Sequence, residues 1–139
     1  MARMLPITLD GVRLFFHVLA ATVWVGGQIT VAALLPVLRA AGAEVPRNAA
    51  RAFGRIAWVA FAVLVLTGIW NIAAAPSSET KTHGYQATLG IKMGFVLVAG
   101  LAAWWHQRAT SRFALGLGGA LALIASLAAL FLGMVLAEH

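Results

Sequence analysis

The stretch FALGLGGALALIASLAALFLGMVLA, residues 113–137, contains no charged side chain and is almost entirely Gly, Ala and Leu. At about 1.5 Å per residue, a helix of this length crosses the roughly 30 Å of hydrocarbon in a bilayer. A soluble helix would show a polar stripe along one face, and this one has none. Three more long apolar runs precede it, at about 12–36, 52–75 and 88–105, each with a single charged residue. Four spans use most of the 139 residues, so the predicted architecture is all-α: a four-helix antiparallel membrane bundle, one transmembrane domain over 1–139. Pro46 marks the start of the second helix and Pro76 the end of it.

Composition agrees. Hydrophobic residues make up 62% and charged residues only 10%, against about 25% charged in soluble domains, and mean hydropathy is +0.91. No room remains for a soluble catalytic domain. The +6 charge would suggest nucleic acid in a soluble chain, but here the bases lie between apolar runs, where topology and anionic lipid account for them. Nucleic-acid binding is therefore excluded as a function, and the lipid bilayer is the expected partner. The absence of cysteine excludes disulfides, thiolate metal sites and thiol redox chemistry. Although Arg3 and Arg13 precede an apolar core as in a signal peptide, the run to Pro36 is too long for one and is read as helix 1.

Arg39, Arg47, Arg51, Arg55, Arg108 and Arg112 fall in the first and third connections, against Arg3, Arg13 and Lys81 on the other side. This asymmetry predicts a multi-pass protein of a bacterial-type inner membrane with both termini outside. Arg47, Arg51 and Arg55 share one face and suit lipid headgroups. Ala129, Gly133 and Ala137, and likewise Gly116 and Ala120, are spaced by four on helix 4, a small-residue pattern for close packing within the bundle, in a homodimer or in a larger complex.

Ionisable groups inside the membrane are the functional candidates. His17 is expected about five residues into helix 1, with Arg13, Trp24 and Gln28 on the same stripe at 100° per residue. Lys92 is expected about four residues into helix 3, at nearly the same depth from the same side. Asn71, with Thr67 one turn before it, brings helix 2 to that level, and His83 lies in the outer connection above it. His106 closes helix 3 on the opposite side beside Trp104 and Trp105. A haem asks for an axial imidazole, a possible second nitrogen ligand, apolar walls and a cation for its propionates, which His17, Lys92, the apolar helices and Arg13 can supply. A copper site asks for several imidazoles or clustered sulfur ligands. Met1, Met4, Met93 and Met134 form no sequence cluster, so ligand counting prefers haem, with copper as the alternative and His83 as a weaker metal ligand.

HVLAATVWVGG at 17–27, RAFGRIAWVAFAVLVLTGIWN at 51–71 and YQATLGIKMGFVLVAGLAAWWHQR at 85–108 together resemble the copper resistance protein D (CopD) membrane domain and the related HemJ-type protoporphyrinogen oxidases. The HemJ resemblance implies a b-type haem, with His17 and Lys92 as the functional pair; the CopD resemblance implies copper uptake or resistance. The resulting expectation is an outer-side site at His17 and Lys92 that binds haem or copper, with a role in copper handling or membrane redox chemistry. Porphyrinogen oxidation is the enzymatic alternative. A non-catalytic anchor in a larger complex is the third.

Overall fold

The computed structural model describes residues 4–139, and all their regular structure is helical. The first span, Leu9–Ala41, consists of α1 (Leu9–Ala21), a π-helical turn (Thr22–Gly26) and α2 (Gly27–Ala41). The second is α3 (Val45–Ala74). A single turn, α4 (Ser77–Thr80), leads to the third, α5 (His83–Arg108), and the fourth is α6 (Arg112–Glu138). All four spans are long and apolar enough to cross a membrane.

Each span runs longer than the hydropathy boundaries, because polar residues outside the apolar runs cap the helices. Thr8 accepts from the Gly11 N–H at 3.1 Å, Thr82 from Tyr85 at 3.2 Å and Ser111 from Ala114 at 3.1 Å. Pro46 occupies the first turn of α3, where a missing N–H costs nothing. The first span does not stop at Pro36, which sits inside α2; the helix ends before Gly42, whose φ of 154° suits glycine and begins the reversal into α3.

Two compact units meet at the Ala75–Pro76 boundary, each a helical hairpin. In the first unit the contacts His17 with Thr67 and Gly27 with Phe53 fix α1–α2 antiparallel to α3. In the second, Lys92 lies at Gly133 and His106 at Gly118, so α5 and α6 are antiparallel too. The buried residues are mostly small: Ala20, Ala57, Ala60, Ala99, Ala102, Ala122, Ala125 and Ala129. Leu14, Phe15, Val59, Leu66, Leu97 and Phe131 instead point outward. Small inside and large outside is the inverse of a soluble core and the packing a bilayer favours.

On α6 the buried seam is Gly118, Ala122, Ala125, Ser126 and Ala129. Of the predicted small-residue pattern Ala129 is buried and Gly133 faces Lys92 of α5, while Gly116, Ala120 and Ala137 are exposed. In a helix so rich in small residues, spacing by four occurs on several faces, and the partner helix selects one.

The π-helical turn was not foreseen. Side chains of the following turn donate to carbonyls of this segment: Gln28 Nε2 to that of Trp24 at 3.0 Å and Thr30 to that of Gly26 at 2.8 Å. A constant 100° per residue therefore fails between His17 and Gln28. Trp24 still faces α3, packing on Trp58 and Phe61 with ring centroids 5.7 and 4.7 Å away. Gln28 turns its amide onto its own helix. Gln28→Leu removes that donor, and we expect a loss of about 1–2 kcal/mol in stability, read as a lower unfolding midpoint in detergent; an unchanged midpoint would show that the amide does not support the turn.

Candidate functional site

In the first unit, α1 and α3 bring their polar groups together in one register. His17 Nδ1 lies 2.7 Å from Thr67 Oγ1. The Thr67 hydroxyl has one proton, and it goes to the Val63 carbonyl at 2.6 Å, with Leu64 a longer second acceptor at 3.3 Å. Thr67 Oγ1 must therefore accept from the imidazole, which puts the ring proton on Nδ1 and the lone pair on Nε2. An imidazole whose Nδ1–H is tied to a fixed acceptor is oriented for ligation through Nε2. Thr67 is buried, so this tie lies away from competing water. The residue pair emerges only from the hairpin register; in the sequence, its one sign is a hydroxyl in the middle of the apolar run LVLTGIWN.

One turn closer to the start of α1 lies Arg13, and one turn further along α3 lies Asn71. Since 13 precedes 17 by the step that separates 71 from 67, the antiparallel register sets Arg13 opposite Asn71. Arg13 Nη1 pairs with Asp10 Oδ1 at 3.0 Å; the Arg13 side chain is 12% exposed and that of Asp10 74%. Arg13 Nε and Asn71 Oδ1 are both buried without a hydrogen-bond partner among the described residues. Deeper on the same seam, Phe16, Leu19, Ala20, Val23, Ile56, Val59, Ala60 and Val63 line an open apolar groove of about 180 Å³. From the start of α1, His17 lies about 12 Å deep, more than expected because the helix begins at Leu9.

The second unit holds the other candidates. Lys92, about 14 Å along α5, lies on the face that packs against α6. A side chain on Gly133 would come within 3.0 Å of Lys92 Nζ, so glycine leaves the slot in which the amine rests. Lys92, Ala99 and His106 recur every seven residues on this face. His106 Nδ1 sits 2.7 Å from the Leu115 carbonyl, tying the end of α5 to the first turn of α6, where Gly118 and Gly119 accommodate the ring. His83 is the first residue of α5 and is exposed. Gly133→Leu is expected to evict the amine from its slot. With Lys81→Arg as background, Lys92 is the only lysine, and its labelling by an amine reagent should change several-fold; unchanged labelling would contradict the slot.

Among the described residues no three His, Cys, Asp or Glu side chains gather as a metal-binding group. The donor set of the first unit is one oriented imidazole, one buried guanidinium and one amide, with apolar walls below. A haem brings its own four nitrogen ligands and asks for one or two from the protein, whereas a copper cage needs several protein ligands.

The family model of copper resistance protein D matches residues 47–137. The matched segment contains Thr67, Asn71, Lys92 and His106, while Arg13 and His17 precede it. No curated protein and no solved structure matches the chain.

Proposed function

The chain belongs to the copper resistance protein D (CopD) family of membrane proteins, and we propose that it works there as a membrane redox protein holding a b-type haem through His17. The supporting observation is the His17–Thr67 pair, which directs Nε2 as the ligating nitrogen. Bound haem would supply one-electron chemistry. The chain's own residues would hold and tune it: His17 as the nitrogen ligand, Thr67 as the fixed acceptor of its ring proton, and Arg13 as counter-charge to an anionic group of the cofactor. Trp24 packs the span below through Trp58 and Phe61. Lys92 remains a candidate proton donor of its own hairpin, where its amine rests against Gly133. The arginine-rich connections support an inner-membrane orientation with both termini outside.

The family match favours a second reading, in which His17 is a donor to copper in transit. The two separate on one preparation. Protein purified in detergent should show a Soret band and little copper in the haem reading; stoichiometric copper in a colourless protein would favour the second.

A further inference from the structure

We propose that Arg13 and Asn71 form a carboxylate-binding subsite one helical turn from His17, which grips an acid group on the edge of the ligand. Naming that ligand as a porphyrin rests on the haem reading; the oxyanion chemistry rests on the two side chains. Arg13 and Asn71 belong to facing helices of one hairpin, at the level set by the His17–Thr67 contact. Each has a buried polar atom without a partner among the described residues, Arg13 Nε and Asn71 Oδ1. Native interiors pair such atoms almost without exception, so two of them at one level point to a missing third group.

The chemistry of that group follows from the donors. Arg13 Nε–H can only donate. The amide of Asn71 can turn over to present its NH₂ in place of the oxygen, and both residues then donate into one space. A planar carboxylate with two oxygens accepts both bonds and balances the guanidinium charge. Asp10 does not already fill this role, for it holds Nη1 and stays largely in solvent. Glu44, the remaining acid of this unit, lies beyond the opposite end of the span. His17 is about 6 Å deeper along α1, so a flat ligand held there by its centre would direct edge substituents towards Arg13 and Asn71.

Iron protoporphyrin IX and its dimethyl ester, which lacks free carboxylates, test this by Soret titration into the cofactor-free full chain in detergent. The free acid should bind about tenfold more tightly or better than the ester, as expected for charge-assisted hydrogen bonds. Arg13→Gln and Asn71→Leu should each bring that ratio towards one while leaving ester affinity nearly unchanged. Arg13→Lys, which keeps the charge and loses the planar donor, should fall between and guards against misfolding of the glutamine variant. His17→Ala should weaken both porphyrins alike and preserve the ratio. A ratio near one in the unsubstituted protein, with a His17-dependent Soret band, overturns the subsite alone. Binding of neither porphyrin overturns the haem reading and this inference with it. A ratio near one together with loss of co-purified anionic lipid in Arg13→Gln assigns the position to a headgroup phosphate, which also overturns the carboxylate assignment.

Discussion

His17→Ala is expected to abolish the Soret band of the purified protein, and Thr67→Val to weaken haem retention by about 10- to 100-fold without removing the ligand. The valine is close in shape to threonine and lacks the oxygen. It therefore releases the imidazole Nδ1–H from its acceptor at 2.7 Å and loosens the ring at that nitrogen. Thr67→Ser retains the acceptor and should restore most of the affinity. The threonine series separates orientation from bulk: if valine and serine behave alike, Thr67 is only a packing residue. Retention of the full Soret band in His17→Ala would remove the ligand assignment altogether.

The second large effect concerns the fold of the α5–α6 hairpin. Gly118→Leu is expected to prevent its assembly, whereas Gly116→Leu, two residues earlier on the same helix, should leave it intact. A Cβ at Gly118 would meet His106 Cβ at 3.0 Å and its Cα at 3.1 Å, so relief requires α5 and α6 to move apart. Even Gly118→Ala should cost about 1–3 kcal/mol by overpacking. At Gly116 nothing lies within 4 Å. Separation of the helices would also pull His106 from the Leu115 carbonyl, compounding the loss. Thermal unfolding in detergent, followed by far-ultraviolet circular dichroism or protease resistance of the chain after Pro76, reads the difference. Equal stability of the two leucine variants would contradict the close approach.

Much of this molecule was legible before its structure. Long apolar runs with at most one charge each marked the four spans, since hydrocarbon tolerates little else. The same intolerance singled out His17, Lys92 and Arg13 as residues needing a reason to be there. Three features were hidden for physical reasons. Helix ends rested on Thr8, Thr82 and Ser111, polar caps in segments that hydropathy reads as connections. The π-helical turn at Thr22–Gly26 has no signature in apolar periodicity, and it disrupted the stripe joining His17 to Gln28. Thr67 becomes a partner of His17 only once the register between α1 and α3 is known. For α6, spacing found the small-residue chemistry but only Ala102, Ala99 and His106 on α5 determine which small residues are buried.

The central claim, a haem held by an imidazole that Thr67 orients, meets its most direct test in the reduced-minus-oxidised absorption spectrum of the intact chain purified in detergent. The predicted result is a b-type Soret band with visible bands that sharpen on reduction, absent from His17→Ala. A colourless protein, or a Soret band indifferent to His17, would contradict it.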